Sequence, residues 1–168
     1  MTIVIKKIEF EKDRDKLLSI EKAAFQESMA SDRYDLESQL RKGFGFLAFE
    51  GSEDYKSAVP LGYVIAVPLE KADYPGCNED TEKGKRNTAY VESFAMMPGA
   101  NKTTLLRLMR NLGNELESRE YARVTMHVES KSKLLRNLKS LGAKSLGDFT
   151  NWMDWDKTFS YLEMPLNA

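Results

Sequence analysis

Ala89-Tyr-Val-Glu-Ser-Phe-Ala-Met-Met-Pro98, then Gly99-Ala-Asn-Lys-Thr-Thr104, then Leu105-Leu-Arg-Leu-Met109 is the stretch on which the fold turns. Thr88 to Met97 is apolar and β-prone, which predicts a strand. Pro98 and Gly99 break it. Leu105, Leu108, Met109, Leu112 and Leu116 then recur on one helical face. A strand, a short loop and a helix in this order leave the first backbone N–H groups of the helix pointing outward. With the helix dipole they form an anion site suited to a pyrophosphate. Gly99 and Ala100 allow close backbone approach, and Asn101 follows them. Lys102 adds positive charge, and Thr103 and Thr104 can cap the helix or bond a phosphate oxygen. The alternative is a plain strand-to-helix turn. Gly-Ala-Asn-Lys-Thr is not a P-loop, because no glycine directly precedes the lysine.

Downstream, Val124–Val128 reads as a strand, and Leu134, Leu135, Leu138 and Leu141 mark a helix closed by Gly142. Two strands follow, around Leu146–Met153 and Thr158–Met164, with Asp154-Trp-Asp-Lys157 as the turn between them. Upstream, Ile3–Phe10 is a first strand. Leu17, Ile20, Ala24 and Phe25 mark a helix, with Asp13 and Asp15 available for its N-terminal end. A second helix runs from Asp32 to Lys42 and stops at Gly43. Phe44–Phe49 is a strand, and the apolar run Leu61–Val67 is a central one covered on both faces. Residues 71–86, rich in charge and holding Pro75, Gly76 and Gly84, predict an exposed loop: a solvated insertion, or a rim over a substrate. The order is β-α-α-β-β-β-α-β-α-β-β, an α/β protein of one domain, residues 1–168.

Composition narrows the function classes. Lys and Arg total 25 against 26 acidic residues, a net charge of −1, which argues against nonspecific binding to nucleic acid or acidic membranes. Cys77 is the only cysteine and His127 the only histidine, which disfavours metal sites and Ser-His-Asp chemistry. His127 alternates with Met126 and Val128 on a strand and reads as a packed or edge residue. Trp152 and Trp155 read as sheet-edge packing or as the border of an acceptor site. With no signal peptide and no apolar run near the ~20 residues a membrane helix needs, a cytoplasmic protein is expected.

Residues 89–142 also carry a resemblance. Ala89–Pro98, the loop, Leu105–Met109, Arg123–Val128, and the helix from Ser132 to Ala143 ending Leu-Lys-Ser-Leu-Gly-Ala resemble the cofactor-binding core of GNAT acetyltransferases. Pro60–Val64 resembles the family's third strand. The resemblance implies a mixed sheet of about seven strands with about four helices. It implies acetyl-coenzyme A as cofactor and an amine as acceptor: a small molecule, a peptide N-terminus or a lysine. It places the acetyl carbonyl on backbone amides of Phe94, Ala95, Met96 and Met97, and the diphosphate on Gly99 to Thr104. It makes Glu92 the candidate base, since a partly desolvated carboxylate accepts a proton more readily. A monomer or homodimer is expected.

Departures from the family pattern keep a second reading open. The loop has one glycine, no arginine, and is about four residues shorter. Leu138 stands where the family commonly has a tyrosine acid, with Asn137 beside it, and the family's asparagine maps to Lys131 or Ser132. That reading is a protein of the same fold with impaired catalysis, serving as a binding or assembly module.

Overall fold

The structure, a computed structural model, describes residues 2–51, 55–82 and 87–166. Its strands are β1 (Ile3–Lys7), β2 (Phe44–Glu50), β3 (Pro60–Pro68), β4 (Thr88–Met96), β5 (Arg123–Glu129), β6 (Lys144–Phe149) and β7 (Phe159–Pro165). The helices are α1 (Phe10–Ala24), α2 (Arg33–Lys42), α3 (Cys77–Glu82), α4 (Lys102–Ser118) and α5 (Lys133–Ser140). The strands form one mixed sheet in the order β1-β2-β3-β4-β5-β7-β6. β4 and β5 run parallel, while β1–β2, β2–β3, β5–β7 and β6–β7 are antiparallel. The expected mixed sheet of seven strands is present, with one short helix beyond the four expected.

The chain packs as two compact units. The first comprises Met1–Val67 and Glu92–Glu115. Its core joins Leu17 and Ile20 of α1, Leu36 of α2, Leu47 and Phe49 of β2, Tyr63 and Ile65 of β3, and Ala95 of β4. Each fully buried leucine or isoleucine there contributes about 1.5–3 kcal/mol. α2 starts as its sequence predicts: Asp32 accepts from Tyr34 N and Asp35 N, and Asp35 accepts from Asp32 N, a complete capping box. It ends at Gly43, where a Cβ would overlap the Ala66 carbonyl and lie 2.9 Å from Val67 Cα. Only a glycine backbone reaches β3 so closely.

At the start of α1, Asp13 serves the N-terminal end as expected and Asp15 does not. The helix begins at Phe10, and Asp13 is fully buried. Its carboxylate accepts from Glu9 N at 2.7 Å, from Lys6 Nζ at 2.7 Å and from the Tyr55 hydroxyl. Asp15 is exposed. A buried carboxylate with these donors is satisfied rather than stranded.

The second unit comprises Pro68–Val91 and Leu116–Ala168. Here His127 of β5 lies between the rings of Trp152, at 4.1 Å, and Tyr161, at 4.6 Å. Its Nδ1 is 2.8 Å from the Tyr90 hydroxyl. Burial pushes the imidazole down to about 4, opposed only by the Pro75 carbonyl, so the ring is neutral at pH 7. Tyr74 and Phe149 complete this aromatic layer. His127 is therefore a packed residue, and Trp152 packs the sheet.

Two expectations are corrected in this unit. Residues 71–86 are not a wholly exposed loop. A 3₁₀ turn at Leu69–Lys71 and α3 bury Leu69, Ala72, Cys77 and Asp80, and Asp80 accepts from the Tyr161 hydroxyl at 2.9 Å. Residues 83–86, Gly84 among them, lie outside the described residues. The sixth strand ends at Phe149 rather than Met153, because Asn151, Met153, Asp154 and Asp156 adopt left-handed backbone and coil the chain. Trp152 N donates to Lys157 O at 2.9 Å across that coil, and the indole turns inward.

Candidate functional site

β4 changes surroundings halfway along. It pairs with β5 from Thr88↔Arg123 to Val91↔Met126, where the register stops, yet it continues as a strand to Met96. At its far end Met97 N donates to Leu61 O of β3 at 2.8 Å. Successive backbone groups on a strand point to opposite edges. Met97, Ala95 and Ser93 therefore turn their N–H groups toward β3. Phe94 and Met96 turn theirs to the other edge of β4. Of the four residues expected to offer amides to an acyl carbonyl, Phe94 and Met96 have their N–H groups on the edge away from β3. Met97 has given its N–H to β3, and the buried Ala95 packs in the core.

Glu92 lies where this change occurs. Its side chain is only 7% exposed, and its Oε1 is 3.6 Å from Nζ of Lys42, the last residue of α2. One helical turn earlier, Gln39 Oε1 accepts from the hydroxyl of Ser93 at 2.6 Å. Residues 39 and 42, three apart on a helix, thus meet residues 93 and 92, adjacent on the strand. On the core side the Tyr63 hydroxyl donates to Glu21, whose second oxygen accepts from Ser31 N at 2.9 Å. Burial raises the Glu21 carboxyl above its ordinary value, with the Tyr63 and Ser31 bonds pulling the other way. Both α1 and α2 are tied by polar bonds to β3 and β4 beside Glu92.

The loop after β4 is a tight turn. Ala100 N donates to Met97 O at 3.0 Å around Pro98 and Gly99, and Gly99 has φ +85°. Pro followed by a residue of positive φ is a type II turn. Asn101 then caps α4: its Oδ1 accepts from Thr104 N at 3.0 Å and from Thr104 Oγ1 at 3.1 Å. Thr104 is 1% exposed, so both its amide and its hydroxyl are committed inward. Asn101, Lys102 and Thr103 are exposed at the helix start. The loop thus brings together Gly99, Lys102, Thr103 and the first amides of α4, and takes Ala100 N–H and Thr104 out of reach of a ligand.

Leu138 is buried at 1% on α5, and Ser132 is that helix's N-cap, accepting from Leu135 N at 3.1 Å. Neither offers an acid. Among the described residues no cluster of His, Cys, Asp and Glu fits a metal ion, and no helix is long and apolar enough to cross a membrane.

No protein-family model matches the sequence, and no curated protein does. Solved structures do match. The ribosomal-protein-S18-alanine N-acetyltransferase of Escherichia coli superposes with a TM-score of 0.73 at 16% identity, over 99% of this chain and 96% of the other. The NatC complex bound to Gag peptide and CoA gives 0.76 at 12% identity, covering 99% and 100%. An IAA acetyltransferase of Bacillus cereus gives 0.67 at 13%, covering 98% and 100%. The class is thereby defined: the chain has the GNAT acyl-CoA N-acyltransferase fold along nearly its whole length. Among proteins of that fold it is a divergent one, at 12–16% identity to these three.

Proposed function

We propose that this protein is an acetyl-coenzyme-A-dependent N-acetyltransferase that acts on an amine. The observation that carries the reading is β4 itself. Two strand residues, Phe94 and Met96, turn their N–H groups to the edge of β4 away from β3, two and four residues beyond a nearly buried carboxylate, on a strand that leads into a helix N-terminus.

The residues fit the cofactor. The α4 N-terminus with exposed Lys102 and Thr103 suits a diphosphate, and the Gly99 turn keeps side chains out of its way, since a Cβ there would meet nothing within 4 Å. When bound, acetyl-coenzyme A supplies a thioester carbonyl as the electrophile. The Phe94 and Met96 amides are oriented to donate to an oxygen that gains charge, which is worth most where the donors are fixed in advance. Glu92 takes the proton that the amine must lose. No side chain at position 138 protonates the leaving sulfur, and a thiol of pKa ~8.5 leaves acceptably as thiolate near neutral pH.

That buried Leu138 is also the observation favouring the second reading, a fold retained for binding with catalysis impaired. Thermal unfolding with acetyl-coenzyme A and a panel of amines separates the two. Specific binding at 100 times the dissociation constant adds ~2.7 kcal/mol, and the melting temperature rises by a few degrees. Release of free thiol with amines present, lost in Glu92→Gln while the cofactor shift persists, supports the enzyme. No shift at millimolar cofactor rejects it. A shift without turnover leaves the binding module.

A further inference from the structure

We infer that Lys42 is a specificity-determining residue, a charge filter that admits acceptor amines arriving neutral and turns away those arriving as ammonium ions. The inference rests on the reading of Glu92 as the base.

Lys42 does not reach Glu92 by chance of a floppy surface chain. Its backbone is pinned on both sides. Gly43, next in sequence, is pressed against the backbone of Ala66 and Val67, and Gln39, one turn back, is bonded to Ser93 beside Glu92. Between these two fixings the Lys42 side chain is 35% exposed, and its Nζ lies 3.6 Å from Oε1 of the 7%-exposed carboxylate. A fixed positive charge therefore stands beside the group that must receive the acceptor's proton.

Two consequences follow from charge alone. Without that cation the nearly buried carboxylate would attract an ammonium acceptor more strongly. With Lys42 in place the charge of Glu92 is offset on that side, and a second cation brought to the 7%-exposed carboxylate meets like charge at short range. A neutral amine meets no such repulsion. The chemistry that satisfies this is an amine of depressed basicity, above all the α-amino group of a peptide or an amino-acid amide. At pH 7.5 an α-amine of pKa ~7.8 is roughly one-third neutral, whereas a lysine side chain of pKa ~10.4 is neutral in roughly one molecule per thousand. Acceptors of the second kind are disfavoured on the order of a few hundredfold when only the neutral form enters.

The test compares kcat/KM for two matched sets at pH 7.5. One holds amino-acid amides and peptides with a free N-terminus. The other holds the same molecules Nα-acetylated and carrying one lysine, together with alkyl monoamines. Wild type is expected to favour the first set by on the order of a hundredfold or more. Lys42→Met is expected to narrow that ratio about tenfold, by raising turnover of the lysine set, while Lys42→Arg keeps it. A purely structural lysine would change stability and overall rate without moving the ratio. Equal rates in wild type, or a preference for the alkyl amines, overturn the filter whatever the variants do. So does an unmoved ratio in a folded Lys42→Met. No transfer to either set by wild type that binds acetyl-coenzyme A counts instead against the acetyltransferase reading beneath it.

Discussion

Acid should unfold this protein through its single histidine. In the native state the His127 imidazole is held between Trp152 and Tyr161 and is pushed down to about 4; in the unfolded chain it returns to about 6.5. Between those values the unfolded state binds a proton that the folded state refuses, so stability falls as pH drops from about 6.5 to about 4. The full loss is about 3 kcal/mol, of which about 2 kcal/mol appears between pH 7 and pH 4.5. His127→Phe keeps an aromatic ring in the stack but removes the bond between the Tyr90 hydroxyl and the imidazole ring, a cost of about 1 kcal/mol at every pH. Urea unfolding of both proteins from pH 7 to 4.5 isolates the effect, because the carboxylates common to both cancel in the difference. Wild type should lose about 2 kcal/mol more than the variant over that range. Since the chain has one histidine, its imidazole NMR signal can be titrated without assignment. Parallel stability curves, or a native imidazole that titrates at 6 or above, would refute the reasoning.

Three further outcomes are expected. Gly43→Ala forces a methyl into the Ala66 carbonyl and should cost at least ~2 kcal/mol in urea unfolding, with loss of the Lys42 geometry. Gly99→Ala places a side chain at φ +85° in otherwise open space; backbone strain alone should cost about 1 kcal/mol, seen as a lower melting temperature with the fold intact by circular dichroism. Lys102→Ala, exposed at the start of α4, should leave the melting temperature of the free protein within about half a kcal/mol of wild type. It should also weaken coenzyme A binding several-fold in a calorimetric titration, and unchanged affinity would remove Lys102 from the diphosphate.

The parts of the fold that were legible in the sequence are those fixed by local periodicity. Leu105, Leu108 and Leu112 mark the buried face of α4, the unbroken run Leu61–Val67 is the covered β3, and Asp32 with Asp35 caps α2 as their spacing indicates. Pro98-Gly99 carried a usable turn signal, since proline and glycine at the two central positions specify type II, and Asn101 three residues before Thr104 carried a cap signal. What was not legible depends on partners far away in the chain. α3 was hidden by its short length and by the charges on its outer side, while Asp80 is kept by Tyr161, 81 residues later. Asp13 was legible as a helix-start charge, but its burial and its bonds to Lys6 and Tyr55 were not. Glu92 was legible as a candidate, but its companion Lys42, 50 residues earlier, had no local mark, and Gly43 read as a helix stop when its stricter constraint is the backbone of β3.

The Pro98–Gly99 turn has a consequence for association that the count of glycines obscures. A loop with many glycines presents more amides, but in the free protein it wanders among many shapes and must surrender that freedom when a ligand settles. Here proline fixes one torsion, the 3.0 Å bond from Ala100 to Met97 closes the turn, and Asn101 locks the next residues onto the helix. Fewer donors are on offer, yet they are already standing in formation, so a ligand docking there would cost little entropy and each contact would count for more of its worth.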